Sequence, residues 1–440
     1  MASGLLGGSI APIILSNLEL EKHPSLSITV GYIPSCTQIL GSIAIVLTSL
    51  AIFRNKSSWI YRTQTSAVSK VKVIALWIVG IMLCAFQQSS SSNYEYHNTM
   101  IFSKIAKYSS IVFVSLQILF FTWCSRFVFI ETRKIKYIMY FLAVVSTINW
   151  LNATVLSSIF ITEFGNSTNG SQPNAVDHQV ICLLSFIMEF SIQATTFAIT
   201  IPMNKNREND CIDIQQRRYQ EDIYRIGLHS ITLGRKQKLC VAIISCLLST
   251  PFVFGIVLTP TSMYDLLKKH DAWLSCIVGS KVIVFMLLTI AYHDLHKSVF
   301  IQTEQMSIDF SDFALIIASS AVAACGVTNL LLRIDKRQFI VYFHTSFNII
   351  YCVYQTIFVL FLRFIVIRGS ELPLLSRVKI IIIIVVTYNL FYWAKDLLFF
   401  LDLIKSDVED KLFKTLFFLL YPLVSFYRFQ SAIGMISFVF

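Results

Sequence analysis

The stretch Pro422-Leu423-Val424-Ser425-Phe426-Tyr427-Arg428-Phe429-Gln430-Ser431 lies inside an apolar run from Phe417 to Phe440. Such a run is long enough to cross a bilayer as a helix. An arginine near the middle of a membrane helix costs at least about 2.5–3.5 kcal/mol to insert, so Arg428 is expected to face a protein interior or a water-filled cavity. Arg428 is therefore expected to lie inside the protein and not on the surface that faces lipid.

The composition of the chain is that of a membrane protein. Of 440 residues, 55% are hydrophobic and only 14% are charged, and the mean hydropathy is +0.67. These values predict an all-α, polytopic membrane protein of about 11–12 transmembrane helices. The formal charge of +11 resides in short loops between apolar runs, where it acts as a topology signal, and it does not indicate nucleic-acid binding.

Long apolar runs predict eleven helices along the chain. In order they are Cys36–Phe53, Val71–Phe86, Ile105–Ile130, Tyr137–Thr162, Val180–Met203, Leu239–Leu258, Ala272–Tyr292, Phe313–Leu332, Phe339–Leu362, Val378–Leu401 and Leu416–Phe440. The longest polar stretch mixes charges of both signs and separates the fifth helix from the sixth. We therefore predict four parts: an N-terminal segment (1–35), an N-terminal transmembrane half (36–203), a cytoplasmic linker (204–238) and a C-terminal transmembrane half (239–440).

Loop charges and glycosylation acceptors predict the orientation of the helices. The loop between the first two helices is basic and is expected in the cytoplasm. The loop after the fourth helix carries two acceptor sequons, at Asn166 and Asn169, and is expected outside. Alternation then places the N-terminus outside and the C-terminus inside. The basic loop Arg333–Arg337 does not follow this pattern, because alternation places it outside.

Polar residues recur in the same order in the two halves. Gln117 in the third helix matches Gln355 in the ninth. The segment from Ser146 to Trp150 in the fourth helix matches the segment from Asn389 to Trp393 in the tenth. Glu189 in the fifth helix matches Arg428 in the last. Such duplication is common in transport proteins; the alternative is a chance alignment of apolar helices.

The same residues carry a resemblance to the otopetrin family. The Pro422–Ser431 segment resembles the family's last helix, which reads Pro-Leu-x-x-Phe-Tyr-Arg-Phe-His-Ser. Ile187-Met188-Glu189-Phe190-Ser191 looks like the family's Ile-Glu-Tyr-Ser. The context of Gln117, the run Gln355-Thr356-Ile357-Phe358 and the pair Asn389 and Trp393 are also similar to the family pattern.

This resemblance implies a proton-selective channel of the plasma membrane that conducts H⁺ inward in response to extracellular acid. It also implies a homodimer whose halves form a four-part ring around a centre filled with lipid or sterol. The sequence departs from the family at Gln430, where histidine is usual, and at Ser146, where asparagine is usual and Asn149 lies one turn later. Otopetrins have twelve helices, and the first of them is absent or unrecognisable in this chain.

Several buried polar residues are candidates for a proton pathway, because amide, hydroxyl and carboxyl groups exchange hydrogen bonds without binding a metal ion tightly. Glu189 is the main candidate, because it is ionisable. The alternative for it is a structural ion pair, and for the others it is packing between helices. The full set is Gln117, Ser146, Asn149, Glu189, Gln355, Asn389 and Tyr427.

Other charged or titratable residues are assigned structural or sensing roles. Arg428 is expected to hold a carboxylate or backbone carbonyls, and Lys281 lies in mid-helix and requires a carboxylate or a cavity. His97, His178 and His270 lie in loops predicted outside, where histidine could sense acid. An ordinary solvated histidine is the alternative at each position.

A second class of function stays open at this stage. A polytopic chemoreceptor, or a non-conducting membrane receptor acting through a partner, would explain the departures at Ser146 and Gln430. An enzyme is the least expected class, since no paired histidine ligands, carboxylate dyad, nucleophile elbow or phosphate loop is found. No metal or cofactor motif is found either.

Overall fold

A computed structural model gives the structure of the protein. It describes residues 24–54, 59–61, 67–89, 100–129, 133–166, 183–200, 231–258, 271–301, 310–332, 339–367, 372–398 and 411–439. These residues form eleven helices and four strands of three residues each. The predicted all-α, polytopic architecture is therefore confirmed. The chain divides into two compact units, with the described residues up to 200 in unit 1 and those from 231 onward in unit 2.

Unit 1 contains five helices and one short antiparallel ladder among its described residues. The helices are α1 (Pro24–Arg54), α2 (Ala67–Ser89), α3 (Met100–Cys124), α4 (Arg133–Asn166) and α5 (Leu183–Thr200). The strands are β1 (Trp59–Tyr61) and β2 (Phe127–Phe129), and they pair with Ile60 opposite Val128. The strands follow α1 and α3, so the ladder joins the ends of these two helices.

Unit 2 contains six helices and a second ladder among its described residues. The helices are α6 (Arg235–Leu258), α7 (Asp271–Ser298), α8 (Phe310–Leu332), α9 (Phe339–Phe364), α10 (Leu372–Leu398) and α11 (Lys411–Val439). The strands are β3 (Val299–Ile301) and β4 (Ile365–Ile367), and they pair with Phe300 opposite Val366. These strands follow α7 and α9.

The two units repeat one order of elements. From α1 to α5, unit 1 runs helix, strand, helix, helix, strand, helix, helix, and the same order runs from α7 to α11. The packing repeats as well, since α1 contacts α3 and α4 while α7 contacts α9 and α10. Among the described residues, α6 has no counterpart in unit 1. The repeat predicted from polar residues is therefore present in the backbone.

Nine of the eleven described helices are long and apolar enough to cross a membrane by length and composition. Large apolar side chains on their outer faces, such as Leu47, Leu247 and Ile350, are more than half exposed, as expected for a surface in contact with lipid. Hydroxyl groups such as that of Thr48 donate to the carbonyl four residues earlier, which satisfies them inside an apolar helix. The chain is a multi-pass membrane protein.

Helix α5 lies at the centre of unit 1 and α11 at the centre of unit 2. Both helices are buried around most of their circumference over the residues whose exposure is described, as expected for helices packed on all sides by other helices. Small residues allow close approach to their neighbours. A Cβ added at Gly80 of α2 would meet Ile118 of α3 and Phe190 of α5, and one added at Gly434 of α11 would lie 2.6 Å from Val359 Cγ1 of α9.

Most predicted boundaries differ from the structure by a few residues, as at the start of α10, which is Leu372 and not Val378, and three differences concern neighbouring segments. Helix α1 begins at Pro24, inside the segment that was predicted to precede the first helix, and proline suits the first turn of a helix. Helix α3 ends at Cys124 and not at Ile130, because a turn at Ser125 and Arg126 leads into β2. The last residues of the predicted linker belong to α6, which begins at Arg235; residues 204–230 lie outside the described part.

Candidate functional site

Unit 1 encloses a polar cavity of about 60 Å³. Such a volume has room for a few water molecules. The cavity is lined by α1, α2, α3, α4 and α5 together. Its polar lining consists of Gln38, Ser110, Gln117, Asn149, Asn152 and Ser191. Two of the predicted pathway residues, Gln117 and Asn149, therefore share one cavity.

Gln117 lies near the middle of the apolar span of α3 and is fully buried. Its Nε2 donates to Ser146 Oγ on α4 at 2.9 Å. Its Oε1 has no hydrogen-bond donor among the described residues. Gln117 also lines the cavity, so its side chain lies beside that space. Two of the predicted pathway residues, Gln117 and Ser146, are thus joined by a direct hydrogen bond.

Asn149 belongs to a hydrogen-bonded chain that crosses three helices. Ser109 Oγ of α3 donates to Gln38 Oε1 of α1 at 3.2 Å, and Gln38 Nε2 donates to Asn149 Oδ1 of α4, also at 3.2 Å. Asn152, one turn further along α4, has a buried Oδ1 with no donor among the described residues. Amide groups of α1 and α4 therefore face the same space.

Glu189 lies near the middle of α5 and is 1% exposed. Its Oε1 accepts a hydrogen bond of 2.8 Å from Gln193 Nε2, one turn further along the helix. Glu189 does not line the cavity, although its neighbours Phe190 and Ser191 do. The carboxyl group is thus held by its own helix, beside the cavity wall.

The candidates in unit 2 form a different arrangement. Gln355 Nε2 donates to Ser431 Oγ at 2.9 Å. Tyr427 donates to the Cys352 carbonyl at 2.8 Å, and Asn389 donates to the Val385 carbonyl of its own helix at 3.0 Å. Gln355, Asn389 and Tyr427 are all candidates for the proton pathway, but these hydrogen bonds do not join any two of them.

Two basic side chains, those of Lys281 and Arg428, are buried side by side in the interior of unit 2. Lys281 Nζ of α7 donates to Asn348 Oδ1 of α9 at 3.0 Å, and Arg428 Nη2 of α11 donates to the same oxygen at 2.8 Å. Lys281 Nζ also lies 2.9 Å from His344 Nε2. The Arg428 guanidinium carbon lies 4.3 Å from the ring centroid of Tyr392, which favours a cation over its face.

The partners of these cations differ from those predicted. Lys281 was expected to need a carboxylate or a cavity, and Arg428 a carboxylate or backbone carbonyls. The described contacts give them one shared amide oxygen, an imidazole and tyrosine rings. The carboxylate of Asp396 lies 3.5 Å from Lys395 Nζ and interacts electrostatically with both Lys281 and Arg428 at longer range, so the predicted carboxylate is near the cluster but not in direct contact with it. A shared amide makes Asn348 the key residue of the cluster.

Some predicted residues cannot be placed. His97, His178, His270 and Asn169 lie outside the described residues. Asn166 is the last residue of α4, and its side chain is not described. The acid-sensing and glycosylation assignments therefore stay predictions.

Sequence reasoning missed several residues that contact the predicted ones. Gln38, His344, Asn348 and Ser431 each bind a candidate residue. Gln38, His344 and Asn348 are amide or imidazole residues inside predicted membrane helices, as Gln117 and Gln355 are. Selecting every such residue would have found all three, although it would not have given their partners.

No protein-family model matches the sequence, and no curated protein matches it either. The functional interpretation therefore depends on the residues of the two interiors and on the sequence resemblance.

Proposed function

We propose that the protein is a proton-selective channel of the plasma membrane that conducts H⁺ inward when the extracellular medium is acidic. The observation that carries the proposal is the unit 1 cavity, which extends from near one end of the apolar spans, at Gln38 and Ser110, to the middle of α3 at Gln117. The polar part of its lining consists of neutral amide and hydroxyl groups. Such groups can exchange hydrogen bonds with water in a chain. A proton can move along that chain where a hydrated metal ion has no room.

The buried carboxyl of Glu189 supports the proposal as the ionisable group of the site. An ionisable residue inside a membrane protein is a functional candidate, and Glu189 lies on the helix whose next two residues line the cavity. It can take up and release a proton beside that space. The otopetrin resemblance supports the same function, together with a homodimer and a lipid or sterol partner.

The unit 1 cavity gives no support to a receptor for a small molecule. Pockets for drug-sized ligands have volumes of roughly 300–1,000 Å³, far above the approximately 60 Å³ of this cavity. The non-conducting receptor is therefore the less favoured function, and it is an outcome of the test below.

The test is whole-cell recording from a cell type without acid-evoked currents of its own. Lowering the external pH should evoke an inward current whose reversal potential shifts by about 59 mV per pH unit, the value for a carrier of one charge. Glu189→Gln keeps the shape of the side chain and removes its titratable group. We expect it to lower the current about tenfold or more, equivalent to a barrier higher by at least about 1.4 kcal/mol.

Glu189→Asp is the matched control, because it keeps a carboxyl group on α5. We expect it to retain more current than Glu189→Gln at equal surface expression. A silent wild-type chain that reaches the cell surface would refute the channel and favour the receptor.

A further inference from the structure

We propose that protons cross this protein through unit 1 and that unit 2 is closed to them by Lys281 and Arg428. The inference rests on the proposed channel function and adds the route. It follows from comparing equivalent positions of the repeat, which place the unit 1 cavity and the unit 2 cation cluster at the same point of the fold.

The register of the repeat gives the equivalent residues. With Gln117 matched to Gln355, Ser110 of the cavity corresponds to Asn348 of the cluster. With Trp150 matched to Trp393, Asn149 corresponds to Tyr392 and Asn152 to Lys395. Residues that line the cavity in unit 1 are thus replaced in unit 2 by cluster residues.

Contacts of α1 and α7 extend this equivalence. Gln38 of α1 bonds Asn149 of α4, while the Lys281 ammonium of α7 lies 4.9 Å from the ring centroid of Tyr392 on α10. Helices α1 and α7 are equivalent in the repeat, so Lys281 occupies the place of Gln38. A neutral amide in unit 1 is replaced by a cation in unit 2.

Side-chain size explains why this place is open in unit 1. Asparagine at 149 and 152 leaves space that tyrosine at 392 and lysine at 395 would occupy. In unit 2 the guanidinium of Arg428 also lies against Tyr392, whereas the matching Glu189 does not line the unit 1 cavity. Larger side chains therefore stand at the positions of unit 2 that are equivalent to Asn149 and Asn152.

The buried positive charge of unit 2, like its larger side chains, disfavours the passage of a proton. A proton in transit is a positive charge, and a cation buried in low dielectric repels it strongly. In unit 2 it would have to pass Lys281 and Arg428, which lie within 3.0 Å of one amide oxygen. In unit 1 it would meet amides and hydroxyls, and no charged side chain of the described residues lines the cavity. Both effects favour unit 1.

The first test uses a matched pair of variants, Gln117→Leu in unit 1 and Gln355→Leu in unit 2. Both glutamines are fully buried, and each donates to one serine hydroxyl at 2.9 Å. The variants therefore remove the same bond from equivalent helices, and Gln355 lies outside the proposed route. At equal surface expression, we expect Gln117→Leu to lower the acid-evoked current at least about tenfold and Gln355→Leu to retain wild-type current.

Equal loss in the two variants, or selective loss in Gln355→Leu, would overturn the route and leave the channel function standing. A silent wild-type chain would overturn the proposed function and the route with it. The two failures are therefore distinguishable.

The second test measures hydration without a current. Phe190 lines the unit 1 cavity, and Phe429 is its equivalent when Glu189 is matched to Arg428; the two rings are 2% and 3% exposed. Brief X-ray irradiation of the purified full chain generates hydroxyl radicals from water beside a side chain. We expect Phe190 to be oxidised several-fold faster than Phe429, because only its ring lies beside the proposed wet route. Equal rates of oxidation would overturn the route.

Discussion

Unit 1 and unit 2 repeat the same arrangement of helices, but the polar side chains in their interiors differ. In unit 1, α1, α3 and α4 bring neutral amides around a cavity. In unit 2, the equivalent helices bring Lys281, Asn348 and Tyr392 together, with Arg428 from α11. A buried amide needs hydrogen bonds, whereas a buried cation is costly unless it is also paired with a favourable electrostatic partner. The comparison teaches that two repeats can keep the same helix packing while one interior is lined by neutral amides and the other holds basic side chains.

The largest expected effect comes from removing the shared acceptor of the two cations. Asn348→Leu takes from Lys281 and Arg428 the oxygen to which both donate. A hydrogen bond to a charged group typically contributes about 1.5–3 kcal/mol, and this substitution removes the acceptor of two bonds, so the thermal unfolding temperature of the purified protein should fall sharply. Asn348→Asp places a carboxylate between the cations and should preserve or raise that temperature.

The equivalent substitution in unit 1 is the matched control for that experiment. Ser110→Leu adds a side chain at the cavity wall, where no cation depends on the serine. We expect it to lower the unfolding temperature much less than Asn348→Leu. Equal losses would show that the two interiors do not differ as described.

The second effect concerns close packing around the central helices. Gly434→Ala would place a methyl group 2.6 Å from Val359 Cγ1, and a β-branched side chain in a helix has little rotamer freedom with which to move away. Overpacking of this kind costs about 1–3 kcal/mol. Gly80→Ala should cost less, because its nearest contact is the flexible end of Ile118.

A compensating substitution tests the stated cause. Val359→Ala removes the atom that Gly434→Ala would strike, so the double variant should unfold at a higher temperature than the sum of the single effects predicts. Strictly additive losses would contradict a direct clash between the two positions.

The smallest effect compares the two glutamine–serine bonds. Ser431→Ala deprives Gln355 of its acceptor, and an unsatisfied buried amide costs about 1–3 kcal/mol. Ser146→Ala removes the equivalent acceptor of Gln117, but Gln117 lines the cavity and can donate to water there. Ser146→Ala should therefore lower the free energy of unfolding by about 0.5 kcal/mol, near the average for hydrogen bonds between membrane helices. Chemical denaturation of both variants in one detergent measures the difference, and a larger loss for Ser146→Ala would contradict a hydrated cavity.

Hydropathy was sufficient to predict the helices of this fold. The apolar runs predicted eleven helices in their observed order, because a helix must satisfy its own backbone in a bilayer. Phe127–Phe129 was placed in a helix by the same reasoning and is instead strand β2. An apolar run does not show whether its end pairs with a distant segment such as Trp59–Tyr61.

The site was only partly predictable. Gln117, Asn149 and Arg428 were identified as interior residues because each interrupts an apolar run, and the structure buries all three. Their partners were not identified, because the choice of Asn348 for Arg428 depends on how α9 and α11 pack. The cavity could not be predicted from the sequence either. Its lining includes asparagine at positions where unit 2 has tyrosine and lysine, and the effect of that difference depends on how the helices pack.

The short β ladders restrict how the helices of each unit can move. Residues paired across β1 and β2, such as Ile60 and Val128, hold the end of α1 beside the end of α3, and β3 with β4 does the same for α7 and α9. Sliding one helix along the other by a single residue would break every pair in the ladder. Each pair of helices is therefore fixed together at the end that carries the ladder, and any separation of the two helices is largest at the opposite end.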